Sequence, residues 1–395
     1  MENNDFTNQK TTGRGHPRLA LLWIVLGTAL MSALLSVLGV ALYLKSTGLL
    51  GLTEMLALIR AEYFYYDEET TGTDALLTAA LRGVTGALGD TYATYYTEEE
   101  YAKQEQSDSG EYKGLGVVVT VPDETGSVLN RVYEQSNAYL AGIRSGDKLL
   151  IANGTSVGGL TLEETVALLY VDGSENTLVL SRDGETYTVT VCAGPVTVPA
   201  VAYEMLEGNI GYIYIDTFHG HAVEETEEAL TALTEAGMTA LVLDLRDNPG
   251  GSLSVVLDVA DLFLEKGLLV TSVRSRSGRV TEYKTKKDVV YDGPLCVLVN
   301  GGSASASELF TGALKDYGRA TVIGTRTYGK GIVQTTFDLA GTGGHVKFTT
   351  DAYYTPNGVC IHGEGIAPDI EVELDEDSGE DAQLQTALDI LRTGS

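Results

Sequence analysis

The sequence predicts an α/β protein in three parts: an N-terminal transmembrane helix, a β-rich middle domain and an α/β core. Three observations predict it. No charge interrupts the 26 residues from Leu19 to Leu44, short β-rich runs fill Gly114 to Val191, and strand and helix patterns alternate from about Ala202 onward. At about 150 residues per domain, 395 residues leave room for two or three hydrophobic cores. The chain has 26 Lys plus Arg against 55 Asp plus Glu, a formal charge of −29, which excludes nucleic acid as a partner. With 44% hydrophobic and 21% charged residues it has the composition of a globular protein. Cys192, Cys296 and Cys360 are odd in number and widely spaced, giving neither a metal pattern nor a disulfide framework.

The uncharged run, at about 1.5 Å per residue in a helix, exceeds a hydrocarbon core of about 30 Å and spans it with tilt. Lys10, Arg14 and Arg18 precede it and Lys45 alone closely follows. The positive-inside rule therefore assigns residues 1–18 to the cytoplasm, 19–44 to the membrane and the rest to its outer side. A cleaved signal peptide is the rival reading. Its apolar region is about 7 to 15 residues long, however, and ALYLKST is a poor small-residue cleavage site.

Residues 46–110 read as a helical region, with patterns over Leu52 to Tyr65, Asp74 to Leu88 and Glu98 to Ser107, the second opened by an Asp74 cap. Residues 111–193 carry five strand patterns, GLGVVVTV, GSVLNRVY, DKLLIANG, NTLVLSR and ETYTVTV. Among them Thr161 and Glu164 form a capping box for a helix running to Tyr170. The Gly114-Leu115-Gly116-Val117 loop, Ala138 to Ile143, Gly146-Asp147 and the capped helix, in that order, resemble a PDZ domain. That resemblance implies that the loop offers N–H groups to a chain-terminal carboxylate while the peptide adds as a strand beside the helix. A β-rich spacer without a ligand is the alternative.

In residues 200–373 strands are predicted at Ile210 to Ile215, Ala240 to Leu245 and Leu295 to Val299, and helices at Val223 to Ala236 and Val255 to Glu265. The third strand runs into Asn300-Gly301-Gly302-Ser303-Ala304-Ser305-Ala306-Ser307-Glu308 and a helix to Tyr317. In such sheets ligand sites gather where strand ends meet helix N-termini. Residues 374–395 hold an acidic tail, Asp375 to Asp381, and a helix, Ala382 to Arg392.

Serine on a small-residue turn at a helix N-terminus is exposed and flanked by N–H groups, which suits a nucleophile facing a carbonyl. The same pattern also describes a plain helix cap. Further on, Lys330 stands between Gly329 and Gly331 ahead of an apolar strand. A lysine packed this tightly loses hydration, so it can be neutral near physiological pH and serve as a general base. His16, His345 and His362 fall in no triad order or metal spacing; His219 and His221, two residues apart, are kept as an alternative base or metal pair.

Together Asp244-Leu245-Arg246-Asp247-Asn248-Pro249-Gly250-Gly251, Ser303 to Glu308 and Tyr328 to Gln334 resemble the carboxyl-terminal processing peptidases, or tail-specific proteases. The likeness extends from the GDTYATYYTEEEY segment at Gly89 to Gly365-Ile366-Ala367-Pro368-Asp369-Ile370. It implies an α/β, crotonase-like protease core in which Ser305 is the nucleophile, Lys330 the base and Gln334 the residue orienting it. It also implies an oxyanion hole from the N–H groups of Gly251, with Gly250 the lesser choice, and Ala306. Asp316 matches an acid common in the family, and Arg144 loosely matches a residue coupling the PDZ domain to the active site.

The expected function is that of a membrane-anchored serine endopeptidase acting on polypeptides through their free C-terminal tails. Its chemistry calls for neither metal nor organic cofactor. The helical segments allow a homodimer. A membrane-tethered PDZ binding protein that does not cleave is the alternative.

Overall fold

The computed structural model describes residues 17–169, 175–374 and 379–393, and the chain divides into two units after Val84. The expected cytoplasmic segment up to His16, the Tyr170 helix end and the acidic residues 375–378 lie outside the described residues.

In the first unit Pro17–Ser46 is one helix of 30 residues, about 45 Å long. Its stretch Leu21–Ser46 has a mean hydropathy of 2.3, and its most apolar part is wholly unburied. Gly48, at a φ of 77°, turns the chain into the helix Leu49–Glu62, which starts earlier than the Leu52 expected. The next long helix, Thr73–Gly86, straddles the division. Asp74 lies inside its first turn, where it meets the positive end of the helix dipole, and does not cap it.

The second unit contains the β-rich domain and the core. Strands Val117–Val119, Ser127–Val132, Lys148–Ala152, Glu175–Arg182 and Glu185–Cys192 form an antiparallel sheet in that order. Alternation drives it: along Glu175–Arg182, Asn176, Leu178 and Leu180 are buried and their neighbours are not. Val117–Val119 lies at the edge of this sheet, and among the described residues no strand pairs with its outer side. Helix Leu162–Leu169 has the expected capping box, Thr161 N donating to Glu164 Oε2 at 2.8 Å and Glu164 N to Thr161 Oγ1 at 3.2 Å. A ribbon the sequence reading missed, Glu111–Gly114 against Gly194–Thr197, closes the two ends of the domain.

In the core sheet Ile210–Ile215, Ala240–Asp244, Leu295–Val299, Thr321–Gly324 and Ile370–Glu371 run parallel in that order, with Val201–Leu206 antiparallel at one edge. Ala240–Asp244 and Leu295–Val299 are buried throughout, because helices cover both faces. Ala222–Glu235, Leu253–Asp261 and Ala306–Asp316 pack on one face and Ala382–Thr393 on the other. A second, antiparallel sheet is built from Leu269–Ser275, Val280–Lys284, Ile332–Leu339 and Gly344–Tyr354, and takes in Thr94–Tyr96 from far upstream.

Candidate active site

Strand Leu295–Val299 delivers the turn Asn300 to Ser305, and Ser305 sits at the N-cap of helix Ala306–Asp316. Its φ of 54° and ψ of −112° are unusual for a residue with a Cβ, a conformation that costs of order 1 to 3 kcal/mol and needs strong support. The three serines of this turn have different fates. Ser303 Oγ donates to Leu245 O at 2.7 Å and Ser307 Oγ to Asn248 O at 2.9 Å, both buried. Those two fasten the turn to the Leu245 to Asn248 loop. Ser305 is half-buried, and its hydroxyl donates to no group among the described residues.

That loop brings the Pro249-Gly250-Gly251 turn to Ser305. A Cβ on Gly250, whose φ is 102°, would lie 2.8 Å from Ala306 N and 2.9 Å from Ser305 Cβ, so only glycine fits. Gly250 N–H is already taken, donating to Asn248 Oδ1 at 2.9 Å. The N–H groups of Gly251 and Ala306 have no partner among the described residues. Two unpartnered donors beside a strained serine can stabilise a developing oxyanion.

Lys330 stands on a loop hung on the Ser305 turn, Tyr328 N donating to Ser303 O at 3.0 Å. Glu308, wholly buried, fixes the arrangement. Its Oε2 accepts from the N–H groups of Ser305 and Lys330, each at 2.8 Å. Its Oε1 accepts from Gly329 N at 2.7 Å and Thr327 Oγ1 at 2.6 Å. A single carboxylate therefore holds the backbones of serine and lysine. Sequence reasoning gave Glu308 no role, although Ser305-x-x-Glu308 has the spacing of a capping box, which signals at least one of these bonds. Burial, then the like charge of Lys347, holds the Lys330 amine below its ordinary value. Its Nζ lies over the Tyr92 ring, 4.5 Å from the centroid.

The other candidates fall at varied distances from this centre. Gln334 Nε2 donates to Thr349 Oγ1 at 3.3 Å on the neighbouring strand. Asp316 accepts from Asn357 N at 2.8 Å at the far end of helix Ala306–Asp316. Arg144 stays within the β-rich domain: it stacks on Tyr139 at 4.0 Å and donates to the carbonyls of Tyr139 and Ile143. His219 Nδ1 is 3.0 Å from Thr217 Oγ1, which donates to Gly250 O at 3.1 Å, while His221 precedes helix Ala222–Glu235.

In the Gly114 to Val117 loop, Gly114 ends the closing ribbon, Leu115 is buried and Gly116 has a φ of 83°. The N–H groups of Leu115 and Gly116 have no partner among the described residues, and Val117 leads into the edge strand. Val117 and Val119 pack against the domain core, and Val166 of the helix Leu162–Leu169 is exposed. Such a site can hold a carboxylate and an extended chain.

Residues 209–372 match the model of peptidase family S41 and residues 128–182 that of a PDZ domain. A "Probable CtpA-like serine protease" of Staphylococcus aureus (strain bovine RF122 / ET3-1) is 34% identical over 370 residues, covering 90% of this chain and 73% of the relative. One from Staphylococcus epidermidis is 32% identical over 360 residues, covering 88% and 72%. Among solved structures, a photosystem II D1 C-terminal processing protease is 30% identical, covering 76% of this chain and 82% of its own at a TM-score of 0.48.

Proposed function

The chain belongs to peptidase family S41 as a PDZ-carrying, CtpA-like serine protease, and on that premise we propose a membrane-anchored endopeptidase that engages C-terminal tails and cleaves with Ser305 and Lys330. The observation that carries the proposal is the Glu308 carboxylate, which ties the backbones of those two residues to one oxygen.

A substrate's terminal carboxylate docks on the Leu115 and Gly116 N–H groups, and its chain adds beside Val117–Val119. Neutral Lys330 takes the Ser305 Oγ proton as Oγ bonds to the carbonyl carbon. The negative carbonyl oxygen is held by the N–H groups of Gly251 and Ala306. The intermediate collapses, the C–N bond breaks, and the departing amine takes the proton from Lys330. The Lys330 amine then takes a proton from water as the water oxygen bonds to the acyl carbon; the acyl C–Oγ bond breaks, Oγ regains its proton from Lys330, and the acid is released. Gln334, through Thr349, steadies the strand that follows the base. The apolar helix Leu21–Ser46 supports an anchor whose catalytic unit lies outside a bacterial cell membrane, with the N-terminus in the cytoplasm.

The test incubates the full chain, in detergent, with a loosely folded protein ending in a free apolar tail, and compares Ser305→Ala and Lys330→Ala after checking that each folds. Cleavage by the native chain alone supports the proposal. Binding of the tail by all three with cleavage by none would favour a tether, and cleavage surviving Lys330→Ala would remove lysine as the base.

A further inference from the structure

Among the described residues Lys330 has no carboxylate partner. Its Nζ makes no hydrogen bond among the described residues, and the group it faces is the Tyr92 ring. The groups around it are few. Lys347, on Gly344–Tyr354, repels it; the Glu308 carboxylate below is occupied by four donors; Tyr328 and Asp90 adjoin Tyr92. Burial, then the Tyr328 hydroxyl, raises the Tyr92 phenol above its ordinary value, so the ring stays neutral.

Tyr92 is itself firmly held. Asp90 Oδ1 accepts from Tyr92 N at 2.9 Å, and Oδ2 accepts from Thr349 N at 2.9 Å. Burial alone would raise the Asp90 carboxyl, but the N–H groups of Thr349 and Tyr92 more than reverse this, leaving it ionised. Thr349 also receives the Gln334 amide. The next strand, Thr94–Tyr96, pairs with Gly344–Tyr354 and places Thr94 opposite Lys347. The turn Gly89 to Tyr92 thus forms a wall of the site, although the whole β-rich domain separates it in sequence from the protease core.

We infer that Tyr92 is a positioning residue for the general base: its ring face holds the Lys330 amine and sets the pH at which that amine gives up its proton. The inference rests on Lys330 being the base. The choice of an aromatic ring has a chemical logic. A carboxylate in this place would raise the amine's pKa and keep it protonated near neutrality, unable to accept a proton, whereas a ring attracts the cation moderately and still locates the amine.

The test uses the full chain in detergent with Tyr92→Phe and Tyr92→Leu, each checked for cooperative thermal unfolding, and Tyr92→Met in reserve should the leucine variant not fold. Two readouts are taken. Dinitrophenylation of the Lys330 amine against pH, followed by peptide mass spectrometry, titrates the amine directly; kcat/KM on fluorescein-labelled casein against pH gives the acidic limb. Tyr92→Phe keeps the Lys330 titration in place. Tyr92→Leu moves it to lower pH by roughly half a unit to one unit, because the ring no longer stabilises the ammonium, and the acidic limb follows. A titration unmoved or raised in Tyr92→Leu, or moved equally in Tyr92→Phe, overturns the inference. Failure of the base assignment is read from a different variant: casein cleavage persisting in Lys330→Ala overturns that assignment whatever the labelling of Tyr92 variants gives.

Discussion

Glu308 accepts the backbone N–H of Lys330 at 2.8 Å, through the same oxygen that accepts the N–H of Ser305. Residues 25 positions apart in sequence are thereby referred to one buried point. The contact also explains how Ser305 keeps a positive φ: the N–H of its strained peptide is held by a buried side-chain oxygen.

Glu308→Gln removes this anchor with little change of shape. Whichever way the new amide turns, its nitrogen accepts no hydrogen bond, so at least one of the N–H groups of Ser305, Gly329 and Lys330 loses its partner, at about 1 to 3 kcal/mol. Turnover is expected to fall at least tenfold, and the unfolding temperature to drop by several degrees. Paired measurement of kcat and thermal unfolding checks both.

Gly250→Ala places a Cβ 2.7 Å from Ala304 O and 2.8 Å from Ala306 N, at a φ of 102°. Either the turn or the nucleophile must shift. Because loss of one oxyanion donor costs about 100-fold to 1,000-fold in kcat, the expected effect on acylation is of that size. Single-turnover kinetics on an activated ester isolates this step.

The pH dependence has a definite sign. Burial and Lys347 both lower the Lys330 pKa, so activity falls as pH drops through that lowered value, below 10.5. Lys347→Met removes one of the two causes and moves the acidic limb of kcat/KM upward. The same shift makes Lys330 a stability cost wherever the unfolded lysine is charged, and stability rises with pH between the folded and unfolded values. Lys330→Met is therefore expected to abolish cleavage and raise the unfolding temperature at neutral pH.

His345 works in the opposite direction. It lies 3.0 Å from both Glu98 Oε2 and Asp338 Oδ1 and stacks on Tyr101, joining the helix Glu98–Asp108 to the second sheet. Burial lowers its pKa, but Glu98 and Asp338 outweigh this and raise it above 6.5. The stability it adds is complete below that value and is lost as pH rises through the folded pKa. His345→Gln should lower the unfolding temperature at pH 5.5 and converge on the native chain in alkaline buffer. Thermal scans across that range decide it.

Local sequence carried much of this site. SASAS and Gly-Lys-Gly pointed to the two side chains proposed to react, and the family resemblance pointed to Gly250 and Gly251. What local pattern cannot encode is which serine remains available, since the bonds occupying Ser303 and Ser307 run to Leu245 and Asn248 across more than fifty residues. Asp90 and Tyr92 were hidden for the same reason. Of the second sheet only the strand after Lys330 was foreseen: Val280–Lys284 is largely exposed and Gly344–Tyr354 largely half-buried, so neither has a clean alternation of apolar and polar residues.

The most direct measurement is acid-quenched mass spectrometry of the chain with a p-nitrophenyl ester, timed from milliseconds to minutes. The account predicts one acyl adduct, on Ser305, absent in Ser305→Ala and formed about 100-fold to 10,000-fold more slowly in Lys330→Ala at the same pH. An adduct on another residue, or acylation of Ser305 at an undiminished rate in Lys330→Ala, would contradict it.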